Sequence, residues 1–257
     1  MKHFYKFTLP VHVLAVVGTI LAIQQSSLTF LVSAVVLWIG LSIGVEVGIH
    51  RLFAHKSFRT SRRMESLLMM LGTLAGQGSI IFWVAVHRGY HHPKADTPED
   101  PHSPVNGAWR SYMGWLIDDT QKHISLRSAS DLMRDQRQML LHRGYYWFIA
   151  SFCVWAFYFS PWIFLGYCLA STICIQQNLL VNYLCHSKHG YRTYETNDLS
   201  RNSSFFGLNL LSWGLSLHNN HHGDPGSYTF AHSSYEWDPS AWVIRRIGTE
   251  LREPRNA

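Results

Sequence analysis

Charge is scarce in this chain. Asp, Glu, Lys and Arg make up only 15% of its 257 residues, against about a quarter in soluble domains. A chain so poor in charge and so rich in apolar residues (47%) is not built as an ordinary water-soluble domain. Cysteine is also sparse. Cys153, Cys168, Cys174 and Cys185 all sit in or beside apolar stretches and form no C-x-x-C pair. That excludes a zinc ribbon and a disulfide framework and leaves reduced, buried thiols as the expectation. The net charge of +6 is not gathered into a basic run, so no nucleic-acid partner is expected and a membrane surface accounts for it better. No small-residue cleavage site ends the first apolar run, so no removable signal is expected. Without a repeat, a low-complexity tract or a second soluble region, residues 1–257 read as a single domain.

What the chain has is long apolar runs. Residues 7–23 and 28–49 form one pair, hinged at residues 24–27. Residues 146–159 and 162–184 form a second pair, split at Ser160-Pro161 as a tight loop would be. At about 1.5 Å per residue such runs approach the roughly 30 Å of a bilayer core. A fifth run, Leu67 to Val86, contains Gly72, Gly76, Gln77 and Gly78. It is expected to be interfacial or re-entrant, because as a full span it would separate the histidines that follow it from those before it. Four spans put both termini on one side. All 22 Lys and Arg residues then fall on that side, which the positive-inside rule makes cytoplasmic. The expected fold is an all-α integral membrane protein: four transmembrane helices, an interfacial or re-entrant helix and a cytoplasmic, His-rich helical cap. The cap comprises residues 50–145 and 185–257, with its tail folding back on Trp237, Trp242 and Ile244.

The chain also holds sixteen histidines. Nine of them cluster just outside the apolar runs, as His50 and His55; His87, His91 and His92; His186, one turn after Asn182; and His218, His221 and His222. Neutral imidazole is a common ligand for first-row metals, and this many rings suffice for two coordination spheres. On an α-helix His218, His221 and His222 share a wedge of about 100°, whereas His50 and His55 stand about 140° apart. The latter pair is therefore expected to serve two different ions, unless the helix bends between them. His87 and His92 have the same difficulty, which a π-bulge housing one extra residue would resolve. Glu46 is the single acid of the second run. One turn before His50, it is placed to orient that ring.

In these motifs the sequence resembles the membrane fatty acyl desaturases, a diiron family, over roughly Gly40 to Arg245. GVEVGIHRLFAH (Gly44–His55) looks like the first histidine box. WVAVHRGYHH (Trp83–His92), with DPHSP (Asp100–Pro104), looks like the second, and HNNHH (His218–His222) like the third. NYLCH (Asn182–His186), followed by GYR (Gly190–Arg192), resembles the segment that supplies a further histidine. The DPH and N-x-x-x-H elements and the EWDPSAWVIR tail (Glu236–Arg245) resemble the Δ9-type, stearoyl-CoA desaturase-like branch.

The resemblance implies an O2-dependent desaturase with two iron ions (Fe2+/Fe3+) that introduces a double bond into a fatty acyl chain. The implied ligands are His50, His55, His87, His91, His92, His186, His218, His221 and His222, with Asn182 acting through a water. Glu46 and Asp100 would support ligand rings, while His102 is expected to bond loop backbone beside Asp100. Trp83, Tyr90 and Trp213 are the candidates for lining the substrate tunnel. A separate donor of ferredoxin or cytochrome b5 type would supply electrons, with Arg134, Arg137, Arg143, Arg245 and Arg246 offering a docking face. Three departures from the branch stand out. Box two has three residues, not two, between its first histidines. Ala85 and Asp118 stand where acyl-CoA members are basic, and Leu215 stands where a Glu is common. The wider spacing also occurs in related membrane hydroxylases, whereas the other two departures favour an acyl carrier protein thioester or a lipid-linked chain over a CoA ester. A related hydroxylase or acetylenase is the alternative outcome, and a histidine-rich metal transporter a remote one. A bacterial inner membrane is expected rather than endoplasmic reticulum, with the site on the cytoplasmic face.

Overall fold

The computed structural model describes residues 2–118 and 120–255. Met1, Asp119, Asn256 and Ala257, which the expected domain and cap take in, lie outside the described residues. Among the described residues, three helices are long and apolar enough to cross a membrane: Phe4–Gln24, Leu28–Ala54 and Pro161–Cys185. A fourth apolar helix, Tyr145–Phe159, has only 15 residues and reaches about 22 Å at 1.5 Å per residue. The second helix runs on to Ala54, past the expected end at residue 49, so His50 lies within it.

Serine hydroxyls start two of these helices and two shorter ones, Arg62–Leu74 and Ile80–Val86. Ser27, Ser61, Ser79 and Ser160 each accept a hydrogen bond from a first-turn backbone N–H, and Pro161 follows Ser160 at the first helical position. The Pro161–Cys185 helix packs along both the first and the second. The first helix buries the small stripe Val11, Ala15, Gly18 and Ala22 and exposes Val13, Val16 and Ile20. The chain is accordingly mostly helical, and the outward valines and isoleucines of this helix suit lipid surroundings.

The expected fifth segment is two helices, Arg62–Leu74 and Ile80–Val86, with a break between them. Gly44 and Gly72 let the first of these lie against the second long helix. A Cβ on Gly44 would come within 2.4 Å of the Gly72 nitrogen. At the break Gly76 has φ +81° and faces the Phe7 ring, where a Cβ would meet ring carbon at 2.0 Å; only glycine satisfies both conditions.

The tail returns to the segment that follows the second long helix. Phe58 and Arg59 pair antiparallel with Leu251 and Glu250, and the helix Pro239–Ile247 is capped by Asp238. Of the three apolar tail residues, only Ile244 is buried. Trp237 stacks on Phe206, and Trp242 lies under the Arg246 guanidinium, both at the surface.

Candidate metal centre

Backbone winding brings the first two histidine clusters into line. From Gly44 to Ala54 the second long helix is π-wound, and the His55 N–H bonds the His50 carbonyl at 3.0 Å. The segment His87–His91 is wound the same way, with the His92 N–H on the His87 carbonyl. In this winding a five-residue step closes one turn. His50 and His55 therefore do not point apart, as α-helical geometry would require, but join one group. His87 and His92 come together likewise, their ring centroids 4.6 Å apart.

All nine histidines converge. His50, His55, His87 and His221 form one group and His91, His186, His218 and His222 another, with ligand atoms within 4.8 Å of one another in each. His92 stands at the junction, grouped with His221 and His222. Nε2 atoms face each other at 3.1 Å for His50 and His221, 2.7 Å for His55 and His87, 2.9 Å for His92 and His221, and 3.0 Å for His186 and His218. The Nε2 atoms of His91 and His222 are buried with no partner.

The outer ring nitrogens explain why those inner faces matter. Nδ1 of His91, His186 and His222 meets Asp100, Asp96 and Asp198 at 3.0, 2.8 and 2.7 Å. Nδ1 of His50 meets Glu46 at 3.1 Å, and that of His218 faces the Leu215 carbonyl at 3.3 Å. An ionised carboxylate only accepts, so the aspartates fix the proton on Nδ1 and leave the Nε2 lone pair pointing inward. Burial, reinforced by the neighbouring rings, lowers His55 to about 3 and pushes His87, His92, His218 and His221 well below the ordinary imidazole value. Burial brings His222 to about 4 against the opposing pull of its Asp198 bond. Burial would raise Asp100 and Asp198, but the histidines they face hold both below the usual carboxylate range. Neutral imidazoles aimed lone pair to lone pair repel one another unless a cation lies between them. The donor set therefore fits two metal ions.

Glu46 lies behind His50 and Asp100 behind His91. Asp96 and Asp198 were not foreseen. Asp96 lies in a loop at φ +61°. Asp198 reaches back from 24 positions before His222, and no spacing rule links residues so far apart. The His102 ring does not bond loop backbone as expected: its backbone N–H donates to Asp100 Oδ1 at 3.2 Å, while the ring Nδ1 is buried without a hydrogen-bond partner, 3.5 Å from the same oxygen. Arg51, beside His50, is fully buried. It donates to Asp238 and to the Tyr228 carbonyl, and its guanidinium lies 3.8 Å over the Phe230 ring. Phe230 in turn packs on His221 with centroids 4.5 Å apart.

A cavity of about 780 Å³, counting its open mouth, reaches His50, His87 and His218 and is also lined by Asn182. Trp83 lines it, stacks on His87 at 4.8 Å and donates its indole N–H to Gln77 at 3.2 Å. Asn178 also donates to Gln77, at 2.9 Å. Tyr90 and Trp213 are not in its walls, contrary to expectation. The π turn that aims His87 and His92 inward turns Tyr90 outward, where its hydroxyl bonds the His123 carbonyl and the Ser125 N–H. Trp213 ends the turn before box three and packs toward Trp38.

Comparison with known proteins agrees with this geometry. A model of the family described as fatty acid desaturase matches residues 28–237. The chain is 36% identical over 211 residues to Delta-9 acyl-lipid desaturase 1 of Arabidopsis thaliana, covering 79% of this chain and 67% of that one. It is 34% identical over 228 residues to sn-1 stearoyl-lipid 9-desaturase of Anabaena variabilis, covering 86% and 82%. It is 30% identical over 284 residues to hex-5-enoyl-[acyl-carrier protein] acetylenase of Moorena producens, covering 96% and 84%.

Proposed function

The chain belongs to the fatty acid desaturase family, in its Δ9-type branch, and is an oxidoreductase acting on fatty acyl chains; from that premise we propose that its nine convergent histidines hold two iron ions. His50, His55, His87 and His221 would hold one and His91, His186, His218 and His222 the other, with His92 at the junction and Asn182 acting through a water. The observation that carries this reading is the pairing of inward Nε2 atoms with carboxylates behind three of the rings of the second group. When bound, the two irons supply the O2 activation needed to attack unactivated C–H bonds, which side chains alone cannot provide. The overall change is a –CH2–CH2– unit plus O2, two electrons and two protons giving –CH=CH– and two waters.

The cavity would hold the acyl chain, with Trp83 set against the His87 ring to fix which methylene pair lies at the metals. An acyl carrier protein thioester or a lipid-linked chain is the favoured substrate form. Ala85 is wholly buried, and Asp118 pairs with Arg110 at 3.3 Å, so neither offers a cation to CoA phosphates. In the bilayer the short Tyr145–Phe159 helix would complete a four-span set. The broken pair Arg62–Leu74 and Ile80–Val86 would be re-entrant, and residues 50–145 and 185–257 would cap the cytoplasmic face. A bacterial inner membrane is the favoured location, with a ferredoxin- or cytochrome b5-type donor.

The similarity to an acetylenase favours one second reading, oxidation of an existing alkene to an alkyne. Gas chromatography–mass spectrometry of fatty acids from cells expressing the chain, beside a His221→Ala control, separates the two. A new unsaturated acid that is lost in the control supports desaturation, and its fragment masses give the bond position. An alkyne or a hydroxy acid moves the reaction assignment. No new acid in either cell line, with iron bound, counts against both.

A further inference from the structure

We propose that the exposed loop Gly190–Ser200 is the docking surface for the electron carrier, a small acidic one-electron protein, and that electrons enter at the second histidine group. This rests on the reading of the histidine groups as iron sites. Two of the carboxylates behind that group are bound up with this one loop. Asp198 belongs to it and meets His222 Nδ1 at 2.7 Å. Asp96 meets His186 Nδ1 at 2.8 Å and accepts the Leu199 N–H at 2.7 Å. From Leu199, which is 51% exposed, two hydrogen bonds therefore reach a ligand ring. Among the described residues the first group shows no such outlet: Glu46 behind His50 is wholly buried in a helix, and Phe230 and Trp83 pack on its rings.

The loop is stiff and its rim is cationic. Arg192 donates to the Thr196 and Asp198 carbonyls, and Asp198 Oδ1 gathers Thr196 and Ser200. Such a surface is preorganised rather than ordered on contact. Lys94 and Lys188 are exposed around it, and Arg192 and Arg201 are half-buried. Among the described residues the acids Glu99, Glu195 and Glu253 also face solvent here, whereas the Asp96 and Asp198 side chains are 6% and 12% exposed and turned inward. An apolar centre at Leu199 within a net positive rim suits an acidic partner steered by charge. The alternative face is less apt. Arg137 is taken up by Asp135 and Glu65, Arg245 by Tyr228 and Arg246 by Trp242. None of these residues touches a carboxylate that holds a ligand ring.

The test uses the full iron-loaded protein in nanodiscs and an acidic plant-type [2Fe–2S] ferredoxin as probe. Binding at low ionic strength is compared for wild type, Lys94→Glu/Lys188→Glu, Leu199→Gln, and the remote control Arg134→Glu/Arg246→Glu. The double reversal at the loop is expected to weaken Kd about tenfold or more and flatten its salt dependence, and Leu199→Gln to weaken it less. Iron content and melting temperature should stay as in wild type, which separates docking from misfolding. An unchanged Kd in the loop variants, a loss confined to the control, or no ferredoxin binding to wild type each overturns the proposal. Single turnover driven by dithionite keeps the two levels apart. Product formed chemically alongside unaltered docking sinks this inference alone, whereas no acyl product from the wild type removes the desaturase reading and this proposal with it.

Discussion

The two histidine groups are held by different means. The first is aligned by backbone: two π-wound segments, Gly44–Ala54 and His87–His91, turn His50, His55 and His87 to one side. The second is aligned by side chains, with Asp96, Asp100 and Asp198 fixing three of its four rings from loops. Backbone winding is local and stiff, while carboxylates brought from distant loops depend on the tertiary fold. The first group should therefore fail when its packing is disturbed and the second when a single proton acceptor is removed.

The largest effect should come from His221, whose Nε2 faces both His50 and His92. His221→Ala is expected to cut product by more than about 100-fold and to lower iron content, as checked by metal analysis of the purified protein. Next is the buried pair behind the first group. Asp238→Ala leaves Arg51 a buried, unpaired cation and should cost about 3–5 kcal/mol of stability, seen as a lower melting temperature. If the melting temperature holds, the packing argument for the first group is wrong. Asp198→Asn is expected to weaken iron binding about 10–100-fold at the second group alone. Mössbauer spectra should then show one of two iron signals depleted, and equal loss of both would dissolve the contrast drawn here. The smallest effect is predicted for deletion of Gly89. It restores α-helical spacing and still leaves three rings on one side, so iron content should change by no more than about threefold, whereas inserting Ala at the same point should abolish binding.

Much of the site was legible in the sequence because its signals are short-range. The histidines announce themselves by spacing, Glu46 by being an acid in an apolar run, and Asp100 by its place in the DPH element. In box two a π turn was one way to bring His87 and His92 together, and the segment His87–His91 is wound that way. In box one the same turn was only half visible, because a five-residue step also reads as two separate sites. Asp96, Asp198 and the Arg51–Asp238 pair could not be read. Each joins segments dozens of residues apart, and only packing decides which acid meets which ring. Tyr90 and Trp213 misled for a related reason: proximity in sequence to a box says nothing about which way a π turn faces. The helical class was plain from the apolar runs, but helix ends were not, since winding through His50 carries the second helix past its hydropathic edge.

The lock formed by Asp238 on Arg51 has a consequence in time. A chain emerges from the ribosome from its N-terminus, so His50 through His92 are made early and wait in a half-built centre. Their partners His218, His221 and His222 arrive only after the Pro161–Cys185 helix has been made, and the residue that pins Arg51 comes later still. For most of its synthesis the protein carries inward-facing imidazoles with nothing to complete them. On the proposed reading, metal loading would come late in the life of each molecule, and a nascent chain halted before Asp238 would be a poor keeper of iron.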